Sequence, residues 1–191
     1  MRELTWHYYN ALNKDAVNKI KELCLQEELV DGQVVDDGKD KFTINKKVRR
    51  SKITMLDKQK HSEVFDLMTT YALDCNKFAY GFDIDQIESC QFSVYDSNEV
   101  GEYNWHIDTL WANNTLVDRK ISIVIQLSDR TDYEGGVFEI ENVTYSPEDK
   151  IKMQDKGTIL TFPSFLQHRV TPVTKGKRMS LIAWVEGKKF K

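Results

Sequence analysis

The sequence has 191 residues, of which 40% are hydrophobic, 11% aromatic and 30% charged, a balance that allows a packed core and excludes a wholly disordered chain. Nine glycines and three prolines exclude collagen-like and low-complexity architectures, and a net charge of −3 from 27 basic and 30 acidic residues is not that of a globally basic nucleic-acid binder. No apolar run approaches the roughly 18 residues of a membrane helix. Met1 to His7 holds no hydrophobic leader segment. Cys24, Cys75 and Cys90 are odd in number and too widely spaced for a zinc motif or a disulfide framework, so a reducing cytoplasm is the expected compartment.

Leu12, Ala16, Val17, Ile20, Leu23 and Cys24 recur at helical spacing behind Asn13, a natural N-cap, and predict a first helix that stops before Asp31-Gly32. A polar stretch from Asp31 to Lys47 follows, with Asp36-Asp37-Gly38-Lys39 as a turn signal, and reads as a hairpin loop or a lid. Val64, Phe65, Met68, Tyr71, Ala72, Cys75 and Phe78 predict a second helix closing near Gly81. His7 and His61 lie in this helical part without a partner pattern and read as surface or packing residues.

From Ile87 onward the chain reads almost entirely as short strands: Ile87 to Tyr95, Tyr103 to Thr109, Lys120 to Leu127, Gly136 to Glu141, Thr158 to Phe162, His168 to Val173 and Arg178 to Val185. This spacing suits a sandwich, barrel or jelly roll. Ile121, Ile123, Ile125 and Leu127 share one apolar face, as do Met179, Leu181, Ala183 and Val185. The other side of the last strand holds Arg178, Ser180, Ile182 and Trp184, a mixture that belongs against a lined interior rather than open solvent. No linker, repeat or long charge block divides the chain. One domain over 1–191 is expected, with 1–86 as mixed helical support and 87–187 as a core almost entirely of strands.

Trp105-His106-Ile107-Asp108 sets His106 and Asp108 two apart on a predicted strand, so both side chains point to one face, about 6.6–7 Å apart along the chain. His168 follows sixty positions later, after Phe162-Pro163-Ser164. Two imidazoles and a carboxylate are the donor set of the facial triad of non-haem Fe(II) oxygenases, which leaves three positions open; a structural zinc site would be closed by a fourth protein ligand, and none is evident. By itself a His-x-Asp spacing is unspecific. Arg178, ten residues after His168 on the lined side of the last strand, strengthens it, because a guanidinium facing an interior requires an anion.

His106-x-Asp108, the distal His168 and the basic Arg178 together resemble the 2-oxoglutarate and Fe(II)-dependent dioxygenases, and within them the prolyl 4-hydroxylase-like branch that includes the bacterial and phage PKHD-type hydroxylases. The resemblance is strongest from Tyr95 to Trp184 and extends to Tyr133-Glu134-Gly135-Gly136, to His168-Arg169-Val170-Thr171-Pro172 and, more weakly, to Val48-Arg49-Arg50-Ser51. It implies an α+β fold: a double-stranded β-helix, or jelly roll, with supporting helices at the amino-terminal end. It also implies that His106, Asp108 and His168 hold Fe(II), that Arg178 binds the distal carboxylate of 2-oxoglutarate, and that Tyr95 helps hold the same carboxylate. Gln126 falls where animal relatives carry another cosubstrate-contacting tyrosine. Tyr103 and Trp184 match aromatic positions near the pocket, with core packing as the alternative reading.

The implied reaction is hydroxylation of a substrate C–H with O2, releasing succinate and carbon dioxide, with L-ascorbate as a reductant. Iron is preferred on the resemblance and not on ligand type, since the Irving–Williams order does not select Fe(II). The expected substrate is a prolyl residue of a peptide or protein. A free small molecule is an alternative, and so is a nucleic acid met by the basic run Lys46 to Lys52, although that run also overlaps the family-like Val48 to Ser51 segment. A non-catalytic jelly-roll module is the third reading, and the intact set of four residues argues against it. No membrane role is expected, and a phage source would place the protein in its host's cytoplasm.

Overall fold

The computed structural model describes residues 4–36, 39–111 and 116–191. An edge strand β1 (Trp6–Tyr8) precedes helix α1 (Lys14–Leu25), and the short strands β2 (Val30–Asp31), β3 (Val34–Asp36), β4 (Lys39–Thr43), β5 (Arg49–Arg50) and β6 (Lys52–Met55) lead to helix α2 (Ser62–Cys75). The remainder is β7 (Gln86–Asp96), β8 (Glu102–His106), β9 (Val117–Gln126), β10 (Tyr133–Gly135), β11 (Phe138–Ile140), helix α3 (Pro147–Lys152), β12 (Ile159–Pro163), β13 (His168–Val170) and β14 (Val173–Lys188). The large sheet runs β1-β12-β9-β14-β7-β6-β2, with β10 on β14, and faces a smaller sheet ordered β11-β13-β8-β5. Their strand pairs are antiparallel throughout. This is the jelly roll that the resemblance implies, one of the architectures the strand spacing allows, with β3 and β4 forming a separate hairpin.

Alternation along β9 and β14 decides which side of the large sheet is core. Leu181 lies opposite Phe92 and Ile125, and Ala183 opposite Cys90 and Ile123, so these side chains share one face. That face is covered by Val17, Ile20 and Cys24 of α1 and by Val64, Phe65, Met68, Ala72 and Cys75 of α2. At about 25 cal/mol per Å² of apolar surface removed from water, this layer is the main favourable term of folding. Asn13 caps α1 as its spacing predicts, accepting from the Ala16 N–H at 2.9 Å. After α2 the chain makes a π-helical turn over Asn76–Tyr80 and stops at Gly81, whose φ of +63° is the left-handed conformation a helix end uses.

Three expectations are corrected. His7 is on β1, not in a helical part, because Trp6 to Tyr8 pair with Ile159 to Thr161 at the sheet edge. Three residues are too few for periodicity to register. The strand expected over Tyr103 to Thr109 ends at His106, where the chain bends so that the N–H groups of Asp108 and Thr109 both donate to the Ser164 carbonyl, at 2.9 and 3.1 Å. The strand expected over His168 to Val173 breaks at Thr171-Pro172, and Val173 opens β14. Within the carboxy-terminal part, read as almost entirely strand, lies the short α3, with Ser146 as its N-cap and Pro147 in its first turn, a start signal present in the sequence. The turn at Asp37-Gly38 lies outside the described residues.

Candidate active site

β8 and β13 are neighbours in the small sheet, and their register sets His106 directly opposite His168. The two rings therefore project from the same face, with centroids 4.1 Å apart. The bend after β8 swings Asp108 between them: its carboxylate oxygens lie 3.7 Å from His106 Nε2 and 3.6 Å from His168 Nε2. One donor atom from each of the three residues falls within 4.8 Å of the others, and among the described residues no other such cluster occurs.

Backbone carbonyls fix which ring nitrogen faces inward. His106 Nδ1 is 2.8 Å from the Asn104 carbonyl and His168 Nδ1 is 2.9 Å from that of Leu166. A carbonyl can only accept, so each Nδ1 carries the proton and each Nε2 turns a lone pair toward the cluster. Burial, reinforced by His168, pushes the His106 pKa down to about 3, which keeps the ring neutral. Burial works the other way on Asp108, but the two imidazoles and the Ser122 hydroxyl outweigh it and hold the carboxyl below its ordinary range. Ser122 Oγ donates to Asp108 Oδ2 at 2.6 Å and itself lies 2.9 Å from Ser164 Oγ. Two imidazoles that present Nε2 and a carboxylate, each oriented from behind, suit a divalent transition metal with positions left open.

The cluster opens into a cavity of about 380 Å³ between the two sheets. Arg178, Ser180, Ile182 and Trp184 all line it, so the mixed face of the last strand does meet an interior. Arg178 and Tyr95 are direct cross-strand partners on β14 and β7, with the buried guanidinium 5.6 Å from the Tyr95 ring centroid. Its Nη1 reaches Ser180 Oγ only at 3.4 Å, and among the described residues no carboxylate pairs with it. A buried cation in this state requires an anion, and a carboxylate matches its fork. Tyr103 also lines the cavity and stacks on His106 with ring centroids 3.4 Å apart. Trp184 lies beneath the Arg119 guanidinium, 4.1 Å from its ring centroid. Gln126 does not line this cavity: its Nε2 donates to the Tyr133 hydroxyl at 2.9 Å, on the far side of Arg178.

Several residues at the site escaped sequence reasoning. Ser122 and Ser164 support Asp108 from elements distant in sequence. Arg119, held by Glu88 through a bond of 3.0 Å from Nη2, forms part of the cavity wall. Arg49 of the basic run turns into the cavity instead of toward solvent, bonding Ser51 Oγ at 2.8 Å and the Gln33 carbonyl at 3.1 Å beneath the Tyr103 ring. Its neighbours are paired: Arg50 with Glu102, and Lys46 and Lys52 with Asp31, each at 2.7 Å. The resemblance of Val48 to Ser51 was the one signal that could have singled out Arg49. Val34, Val35 and Phe42 of the β3–β4 hairpin complete the cavity mouth with Ile53 and Met55.

Residues 90–186 match the model of the 2OG-Fe(II) oxygenase superfamily. The chain belongs to that superfamily. A PKHD-type hydroxylase of Synechococcus sp. (strain CC9311) is 34% identical over 96 residues, 50% of this chain and 41% of that protein. The chain spans about two fifths of the length of the first such curated relatives it matches. In fold it is similar to a Pseudomonas putida prolyl-4-hydroxylase, with a TM-score of 0.71 at 18% identity over 97% of this chain and 94% of the other. It is also similar to a prolyl hydroxylase from Trichoplax adhaerens solved with a hypoxia inducible factor peptide fragment, with a TM-score of 0.70 at 18% identity over 95% and 83%.

Proposed function

We propose that this chain is a 2-oxoglutarate- and Fe(II)-dependent dioxygenase that hydroxylates a prolyl residue of a peptide or protein, releasing succinate and carbon dioxide. The convergence of His106, Asp108 and His168 on one cavity with an uncompensated Arg178 supports this reading most directly. Bound by these three residues, Fe(II) supplies the redox chemistry that activates oxygen, with ascorbate as external reductant. The chain's own contributions are positional. Nδ1–H bonds to backbone carbonyls keep both Nε2 atoms directed inward, and Ser122 keeps Asp108 in place. Arg178 anchors the distal carboxylate of the cosubstrate through paired N–H donors. Val124, Phe138, Phe162, Val170 and Ile182 line the cavity with apolar surface that limits water near the reacting groups.

For the substrate, the apolar mouth formed by Val35, Phe42, Met55 and Ile107 suits a pyrrolidine ring within an extended segment. Ser89 and Trp184 are cross-strand partners in the cavity wall. The peptide bound to the Trichoplax enzyme supports the same reading by fold likeness. A nucleic-acid substrate is disfavoured because, within the Lys46 to Lys52 run, Lys46 and Lys52 pair with Asp31, Arg50 pairs with Glu102 and Arg49 turns into the cavity, which leaves Lys47 as the remaining cation of the run.

Succinate formation from 2-oxoglutarate tests the chemistry before the substrate is known, because enzymes of this kind turn over slowly without it. The expected result is Fe(II)-dependent succinate that disappears in His106→Ala. Absence of succinate together with failure to bind Fe(II) and 2-oxoglutarate anaerobically would favour a non-catalytic jelly roll. Proline-containing peptides should then gain the mass of one oxygen atom; if only free small molecules do so, the peptide assignment is lost.

A further inference from the structure

The Tyr133-Glu134-Gly135-Gly136 segment has no function in the site so far described, yet it is built against Arg178. β10 sets Tyr133 opposite Gly176, two residues before Arg178 on β14. The Tyr133 ring is buried in a small cluster with Tyr95, Val170 and Val173, which places a tyrosine on either side of the guanidinium. Gly136 holds a φ of +58°, and a Cβ there would come within 3.0 Å of Arg178 Cδ and 3.2 Å of Tyr133 Cε2. The backbone thus lies against both the arginine stem and the phenol ring, an approach that only glycine permits.

Gln126, Tyr133 and Arg178 also line a second cavity of about 20 Å³, room for one water, behind the main one. Gln126 Nε2 donates to the Tyr133 oxygen at 2.9 Å. A phenol oxygen that accepts one bond has a second acceptor site left, and a guanidinium offers only donors. Burial pushes the Tyr133 hydroxyl pKa up while Arg178 beside it pulls the other way; the net shift is upward, so the phenol stays neutral.

We propose that Tyr133, held by Gln126, is a positioning residue for the cosubstrate seat: its oxygen takes one edge of the Arg178 guanidinium and leaves the remaining N–H fork facing the main cavity, aligned for the distal carboxylate. The inference rests on the proposed role of Arg178. It also gives Gln126 a role through its bond to the Tyr133 oxygen.

The test is anaerobic calorimetric binding of two ligands to the Mn(II)-loaded protein: 2-oxoglutarate, and 2-oxovalerate, which lacks the distal carboxylate. Tyr133→Phe removes only the oxygen. It should weaken 2-oxoglutarate binding about tenfold, the size expected for a hydrogen bond to a charged group. Binding of 2-oxovalerate and of Mn(II) should not change, so the preference between the two ligands should fall by the same factor. Gln126→Leu should shift that preference in the same direction by a smaller factor. A preference unchanged in Tyr133→Phe, or an equal loss for both ligands, would reduce Tyr133 to packing and overturn the proposal. A wild-type protein with no preference, insensitive also to Arg178→Gln, would instead overturn the cosubstrate reading of Arg178 and this inference with it.

Discussion

Arg49, Arg50 and Arg178 are one residue type put to three uses. Arg50 meets Glu102 near the surface, where an ion pair contributes little. Arg49 is buried and spends its donors on neutral oxygens of Ser51 and Gln33, fixing the cavity floor beneath Tyr103. Arg178 is buried with donors left over, and that surplus makes it a seat for an anion. The same logic applies to the serines behind Asp108. Ser122→Ala removes the 2.6 Å bond that orients the carboxylate and leaves the three ligands present. Metal affinity should fall about 10- to 100-fold, the usual cost of losing an outer-shell partner. Titration with Mn(II) checks this, and an unchanged affinity would mean the histidines alone orient the site.

At the scale of elements, β14 shows how one strand serves two functions. Leu181 and Ile182 are adjacent, yet Leu181 faces the helices and Ile182 faces the cavity. Leu181→Ala should cost about 2–5 kcal/mol of unfolding free energy through lost burial and the void left behind. Ile182→Ala should cost less and act on turnover and substrate preference, since it enlarges a space that is already open. Denaturant unfolding beside kinetics of both variants separates the two faces; similar losses of stability would contradict the register. The β3–β4 hairpin offers a second contrast, because Phe42 is exposed at the mouth and far in sequence from the metal ligands. Phe42→Ser should raise KM for the proposed peptide substrate several-fold while leaving KM for 2-oxoglutarate unchanged.

At the scale of the whole molecule, the helical layer and the sheet seal three free thiols between them. Burial is the main reason that Cys24, Cys75 and Cys90 each have a pKa pushed up to about 12 from an ordinary 9.0. The native protein should resist alkylation at pH 8 and react at all three positions once unfolded; rapid native labelling would show the core to be open. The folded pKa lies above the unfolded value, so the stabilisation from keeping these thiols protonated is complete below about pH 9 and is lost as the pH climbs toward 12. A melting temperature that declines through this alkaline range is the expected reading.

How much of this was legible in the sequence follows the range of the interaction concerned. Period-2 alternation at Ile121 to Leu127 and at Met179 to Val185, the Asn13 cap and the helical spacing before Gly81 are local, and local sterics and burial fixed them before any partner was known. The ligand types at His106, Asp108 and His168, and the need of Arg178 for an anion, were also legible, because ligand chemistry is a property of the side chain. Edge strands of three residues were not, since pairing with a distant strand stabilises them and no pattern of their own does. Nor was the tilt of Asp108 past the strand end, which depends on the Ser164 carbonyl fifty-six residues away, as 164 − 108 gives. The inward turn of Arg49 and the placement of Tyr133 and Gln126 behind Arg178 also arise from register between elements far apart in the chain. The sequence by itself therefore determined the layers, their faces and the chemical donors, while the tertiary structure alone decided which donors share a cavity and what holds each of them in line.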